Sequence, residues 1–258
     1  MQDVKTRQSE AEEELAALTL EGLAPLGDTS ALFEGQRINV FGGIPGEEVV
    51  ARIVRYRRRR KRLVSGIVVE VTRPSPHRIP PPCPYFGPCT GCQWQHIDYE
   101  HQLELKHAAV LEHMAAYPEL EGVPVAPTLP SPQRFSYRNH ARFTVRESGS
   151  LGFVHRIRRS FVRIAECMLM APWINETLTT LQGKAAETSQ LTMRYGVNTS
   201  DWLVQPVLHN EDVPIATGQG HYREKLLDRP FRIASPSFFQ VNTKQAERLA
   251  ELVRDRLD

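Results

Sequence analysis

The sequence predicts a multidomain α+β chain: a small N-terminal OB-like β-barrel, then an α/β central domain, then only the start of a third domain. Three observations carry this. Short β-branched runs separated by glycine and proline crowd residues 18–72. A proline-rich linker and a cysteine run follow them at 73–92. Beyond these, strand-like and helix-like stretches alternate up to a well-capped helix near residue 243. A length of 258 residues suits two domains, or one and part of another. Hydrophobic residues at 41% and charged residues at 24% are ordinary for a globular protein, and no apolar run is long enough to span a bilayer.

Taken in order, residues 9–14 (Ser-Glu-Ala-Glu-Glu-Glu) form an acidic stub, read with the rest of 1–14 as disordered or as a frayed helix. The opening residues lack the apolar stretch of a signal peptide. From 15 to 73 the strands Leu18–Leu20, Arg37–Phe41, Val49–Tyr56 and Leu63–Thr72 suggest a small closed barrel of the kind that binds oligonucleotides. Net charge is only +2, but residues 52–62 hold eight cations in eleven positions, among them Arg57, Arg58, Arg59, Arg60 and Lys61. Such density repels itself and calls for a polyanion, with nucleic acid favoured over an anionic membrane because no amphipathic helix accompanies the run. The bland alternative is a solvated hairpin tip.

Residues 73–82 carry five prolines in ten positions, a stiff linker that neither helix nor central strand accommodates. The cysteines follow: Cys83, Cys89 and Cys92 within ten residues, and Cys167 alone much later. Three clustered thiols plus one remote thiol suit an iron–sulfur cluster. A structural zinc site stays open, although only Cys89 and Cys92 form the Cys-x2-Cys pair that zinc knuckles use twice. Disulfides require an oxidising compartment that nothing here indicates.

Asp98 caps a predicted helix over Tyr99–Tyr117, with Leu103, Val110, Leu111 and Met114 near one face. The clearest strand starts at Tyr137. Asn139, Ala141, Phe143 and Val145 share one side with it, while Arg138, His140, Arg142 and Arg146 share the other. Ser148-Gly149-Ser150 turns the chain into a hairpin partner from Leu151. The cationic side, with Arg138 and Arg142, is either a solvated face or a second nucleic-acid surface. Strand-like runs at 191–197 and 202–208 follow without a catalytic motif. Finally Asn242 caps a helix, with Gln245 placed for a capping box.

Together the motifs are similar to the RNA uracil-5-methyltransferase family. Gly35, Pro45-Gly46-Glu47 and Pro74-Ser75-Pro76 resemble a TRAM domain. Cys83-x5-Cys89-x2-Cys92 with Gln95-His96 and Tyr99-Glu100-x-Gln102-Leu103-x2-Lys106 looks like that family's iron–sulfur segment. Tyr137-Arg138-Asn139, Gly152-Phe153 and Glu166-Cys167 resemble its central domain, and Ser235-Pro236-x-Phe238-Phe239-Gln240-Val241-Asn242 the approach to its methyltransferase domain. Thr90 and Met168 depart from the usual pattern.

The resemblance implies a [4Fe–4S] cluster on Cys83, Cys89, Cys92 and Cys167, S-adenosylmethionine as methyl donor in a class I fold, and a uridine of structured rRNA or tRNA as target. It implies that Phe238 stacks on a base and that Gln240 meets the cofactor or the uracil edge. It divides the chain at 74–230 (iron–sulfur central domain) and 231–258 (start of a truncated, Rossmann-like methyltransferase domain), with nucleophilic cysteine and base expected beyond Asp258. The chain alone is then expected to be inactive, monomeric and cytoplasmic, without membrane or DNA partners. The alternative is a non-enzymatic RNA-binding iron–sulfur or zinc module.

Overall fold

The computed structural model describes residues 14–58, 61–89, 91–146, 148–155 and 159–257. They divide into two compact units, 1–82 with 92–128 and 83–91 with 129–258. All of the acidic stub but Glu14, together with Arg59 and Arg60, lies outside the described residues.

The first unit is built on six strands: β1 (Leu15–Thr19), β2 (Gly22–Leu23), β3 (Thr29–Phe33), β4 (Gln36–Phe41), β5 (Glu48–Arg58) and β6 (Lys61–Arg73). Their order is β1-β5-β6-β4-β3-β2. All pairs are antiparallel except β4 with β6. β1 runs into β2 through two residues, so one bent strand supplies both edges and the sheet curls over its own apolar face. Leu18, Leu20, Ala31, Ile38, Val40, Val49, Ala51 and Ile53 fill that curl. Register shifts at the start of β5 add the local twist that a bulged strand produces. The two-residue turn Glu34-Gly35 has positive φ at both positions (47° and 73°), the conformation a tight hairpin needs and glycine supplies without strain. α1 (Tyr99–Ala115) starts at Asp98, whose Oδ1 accepts from the His101 amide at 2.9 Å, as expected. Its buried contact is not the expected face: Val110 and Leu111 are exposed, and Leu105 packs with Ile44 and Ile97.

The second unit centres on a five-stranded antiparallel sheet of β7 (His140–Arg146), β8 (Ser150–Val154), β9 (Phe161–Arg163), β10 (Gln190–Tyr195) and β11 (Trp202–Gln205), ordered β11-β10-β7-β8-β9. Strict alternation along β7 buries Ala141, Phe143 and Val145, and the turn at 148–149 makes the expected hairpin. α2 (Pro172–Leu181) lays Ile174, Leu178 and Leu181 on that apolar face, against Phe143, Leu151, Leu191 and Met193. Fully burying each such side chain stabilises the unit by about 1.5–3 kcal/mol. β12 (His221–Leu226) and β13 (Arg229–Ala234) form a separate two-stranded ribbon. α3 (Thr243–Leu257) follows, its start fixed by Asn242 Oδ1 accepting from the Gln245 amide at 3.0 Å. The return half of that capping box is not made, since Gln245 Oε1 has no partner among the described residues.

These observations correct the expected fold class. The molecule is mostly sheet, with a curled sheet and three helices longer than one turn among the described residues. The closed OB-like barrel is replaced by the curled sheet, whose edge strands β1 and β2 share no ladder. The α/β central domain is replaced by an antiparallel sheet. Parallel strands need long crossovers, whereas β7, β8 and β9 are joined by short turns. Residues 231–258 do not begin a Rossmann-like domain. β13 is the antiparallel partner of β12, and buried Thr243 ties α3 to the same unit through Glu224 and Asn139. No helix among the described residues is long and apolar enough to cross a membrane.

Candidate functional site

In the second unit the fold gathers Cys83, Cys89 and Cys167. Cys83 and Cys89 close a tight turn: the Phe86 amide donates to the Cys83 carbonyl at 3.1 Å and the Cys89 amide to the Tyr85 carbonyl at 2.7 Å. The Tyr85 hydroxyl accepts from the Ala165 amide at 3.0 Å, which fastens this turn to the segment carrying Cys167. Asn175 of α2 grips Cys167 from both sides, accepting from its amide at 3.0 Å and donating to its carbonyl at 3.1 Å. Burial raises the pKa of the Cys89 and Cys167 thiols, and Cys83 adds to the rise in both. Backbone amides point at the same sulfurs: Gly91 at Cys89, Leu169 and Met170 at Cys167. Buried soft donors with amides aimed at sulfur form the environment that metal-bound thiolates use. Cys92 belongs to the first unit, where Gln95 Nε2 lies 3.2 Å from its Sγ.

Spacing bears on which metal fits. Among the described residues the one group of three ligand atoms mutually within 4.8 Å is His77, His101 and Glu104, not the thiols. Tetrahedral zinc with bonds of about 2.3 Å places its sulfurs about 3.8 Å apart. The three thiols of the second unit are spread more widely than that.

The other feature is the loop 235–242. Its backbone is held by side chains from the sheet. Asn139 Nδ2 donates to the Gln240 carbonyl at 3.0 Å and to Thr243 Oγ1 at 2.9 Å, and its amide donates to the Val241 carbonyl. Arg194 Nη1 donates to the Ser237 carbonyl at 2.7 Å, and Asn242 Nδ2 to Ser131 Oγ at 3.0 Å. Phe239 turns inward onto Leu203, Tyr222 and Ile233. Phe238 turns outward and is 82% exposed, and Gln240 is exposed beside it. Phe238 is thus a large aromatic ring left bare on a loop held at several points.

The expected basic residues are placed variously. Arg57, Arg58 and Lys61 lie at the tip of the β5–β6 ladder, with Arg58 opposite Lys61. Arg142 is exposed and bonds Gln190 on the neighbouring strand. Arg138 is half-buried, donates to the His140 carbonyl at 3.1 Å, and lowers the Cys167 pKa by its charge, so it attends the cysteines. His140 is pushed down to about 4, first by burial, then by Arg194, Arg138 and Arg142. Sequence reasoning missed Arg194 and Glu224. Asn139 it saw as a strand position and as part of the Tyr137-Arg138-Asn139 motif, not as the anchor of the 235–242 loop, although a polar residue in an inward register was the available signal.

No family model matches the chain. It is similar to curated proteins named uncharacterized RNA methyltransferases. One, from Clostridium tetani, is 30% identical over 87% of this chain and 61% of its own length. Another, from Aquifex aeolicus, is 28% identical over 87% of this chain and 60% of its own length. The chain thus spans about three fifths of the relatives it matches. Among solved structures it resembles that of Pyrococcus abyssi tRNA (uracil-54, C5)-methyltransferase in complex with S-adenosyl-L-homocysteine, with a TM-score of 0.65 at 22% identity. That match covers 93% of this chain and 64% of the other and shows a shared fold. It also overturns the reading of two domains plus a mere start of a third, since nearly the whole chain corresponds. Over most of its length, then, the chain is similar to proteins named RNA methyltransferases.

Proposed function

We propose that this chain supplies RNA recognition and target presentation in an S-adenosylmethionine-dependent RNA (uracil-C5)-methyltransferase acting on rRNA or tRNA. The observation that carries the reading is Phe238, bare on a loop whose backbone is fixed by Asn139 and Arg194. A uracil taken out of its stack needs an aromatic face and a hydrogen-bonding edge, which Phe238 and Gln240 offer two residues apart. The cationic run from Arg57 to Lys61 holds RNA phosphates in this reading, and residues 15–73 act as an RNA-binding module. S-adenosylmethionine supplies the methyl group in such a reaction.

In this proposal Cys83, Cys89 and Cys167 of the second unit are ligands of a [4Fe–4S] cluster, and the thiol that adds to C6 of uracil is none of them. The gathering of three thiols in one unit and their wide spacing support a polynuclear group over a single zinc. In this reading the chain's own residues bind and orient the base.

Photocrosslinking tests the reading. Single-stranded RNA carrying 5-bromouridine is irradiated with the anaerobically purified chain, and crosslinked peptides are mapped. Crosslinks within 235–242 that disappear in Phe238→Ala are expected. RNA that binds but crosslinks only elsewhere overturns the role given to Phe238.

A further inference from the structure

A second feature lies in the same unit, lined by other residues than those that hold the cysteines. The turn 199–201, the start of β11 and the start of β12 enclose an open cleft of about 970 Å³, bordered by Trp202, Gly220, His221 and Arg223. On the β12–β13 ribbon Arg223 stands directly opposite Arg232, and both are exposed. Like charges facing each other across a ladder destabilise it. Among the described residues no carboxylate pairs with either guanidinium. Arg232 reaches instead toward His221, with Nη2 3.1 Å from Nδ1. The one carboxylate in the cleft is already engaged: Asp201 accepts the Trp202 amide at 2.9 Å and the Arg223 amide at 2.8 Å. The two arginines of this face thus lack a counter-ion among the described residues.

Trp202 is 36% exposed at the cleft. It is backed by Trp173 at 5.8 Å between ring centroids, and Trp173 stacks on Tyr195 at 5.4 Å and 10°. An aromatic column with an accessible end is a stacking platform whose rotamers are already fixed, so little entropy is lost when a base settles on it.

We propose that this cleft is a subsite for an unpaired RNA segment, with Trp202 stacking a base and Arg223 and Arg232 holding phosphates. The inference rests on the RNA reading above and extends it from the single base met by Phe238 to the strand that flanks it. A flexible polyanion with planar groups matches both halves of the cleft. A duplex hides the base faces that Trp202 needs, and an acidic peptide offers nothing flat for the ring.

Gly220 provides a clean test. A Cβ built there meets no atom within 4 Å, and its φ is not in the left-handed region, so a side chain enters the cleft without strain. Binding of a fluorescein-labelled single-stranded oligouridylate to the full chain is measured by anisotropy across a salt series. Gly220→Glu and Gly220→Gln add nearly equal volume but differ in charge. Gly220→Glu is expected to weaken binding at least tenfold, and Gly220→Gln threefold or less. Arg223→Gln with Arg232→Gln is expected to flatten the salt slope by about 0.7 for each phosphate no longer neutralised. Trp202→Phe is expected to abolish most of the tryptophan quenching that RNA produces. Wild-type affinity and slope in Gly220→Glu and in the double arginine variant overturn the subsite. If Phe238→Ala weakens binding in that same series, the function proposed above survives alone. Equal affinity for poly-glutamate assigns the cleft to an acidic protein segment and overturns the RNA assignment. Failure of the wild-type chain to bind any RNA overturns both readings together.

Discussion

Each unit hides one carboxylate completely, and the two are satisfied in opposite ways. Glu47, in the first unit, meets a cation: Arg78 donates Nε to its Oε1 and Nη2 to its Oε2, both at 2.6 Å. Amides of Ser75 and Ile44 complete its shell. Burial pushes its pKa up, but the hydrogen bonds from Arg78 and the two amides outweigh that, so its net shift is downward. Glu224, in the second unit, meets no cation in its shell among the described residues. It accepts from the amides of Val197, Asn198 and Lys225 and from the Thr243 hydroxyl. The first arrangement is a charge pair that pins a proline-rich linker to a turn. The second is a nest of dipoles that pins three chain segments at one point, including the start of α3. Buried charge can thus be used for attachment or for convergence, and the unit carrying the exposed Phe238 uses convergence.

The largest effect should come from breaking the pair from one side. Arg78→Met leaves Glu47 buried without its counter-charge and should cost about 3–5 kcal/mol, read as a lower denaturant midpoint. Glu224→Gln keeps shape and most hydrogen-bonding capacity, so a loss of about 1–3 kcal/mol is expected. Equal losses would erase the distinction between the two carboxylates.

Acid should sharpen it. His96, buried in the first unit with Nε2 3.1 Å from the Gly43 carbonyl oxygen, is pushed down to about 4, mainly by burial. Between about pH 6.5 and that value the unfolded chain binds a proton that the folded chain refuses, so stability falls as pH drops through this window. Below about 4.3 the depressed Glu47 adds its own loss as it is protonated. His96→Gln should remove part of the upper acid limb, with the similarly depressed His140 of the second unit keeping the rest, and Glu47→Gln should remove the lower part, both read from pH-dependent melting.

Asn139→Ala deletes two side-chain bonds to the 235–243 segment and should cost about 2 kcal/mol while weakening RNA binding. Phe238→Ala should change stability by less than about 0.5 kcal/mol yet lose about 1–3 kcal/mol of RNA affinity. Iron content supplies an independent check: Cys167→Ser should lose most iron and acid-labile sulfide from anaerobically purified protein, and full retention would remove Cys167 from the ligand set.

What the sequence makes legible follows from periodicity and punctuation. The β7–β8 hairpin is readable because apolar and cationic residues alternate from Tyr137 to Arg146, and both helix caps because Asp98 and Asn242 precede helical runs. The approach of Cys83 to Cys89 is signalled by their clustering, that of the remote Cys167 only by the pattern of three near thiols and one distant one. The sheet-dominated architecture is not, because short β-branched runs between helical stretches read equally as parallel or antiparallel strands until pairing is known. The buried face of α1 is missed because its apolar residues surround the helix, and tertiary packing selects Leu105. Arg194 and Glu224 look like surface residues in sequence. Only the partners that converge on them, dozens of positions away, make their burial tolerable.

The bond from Asn139 to the Gln240 carbonyl joins residues 101 positions apart. At synthesis rates of roughly 5–20 residues per second, the interval between the two emerging from the ribosome is about 5–20 s. The five-stranded sheet has all its strands once β11 ends at residue 205, while the Gln240 carbonyl that the Asn139 side-chain amide bonds is still to come. The aromatic ring at 238 is therefore set in place only when α3 arrives, so a nascent chain shields its core well before it is able to present Phe238.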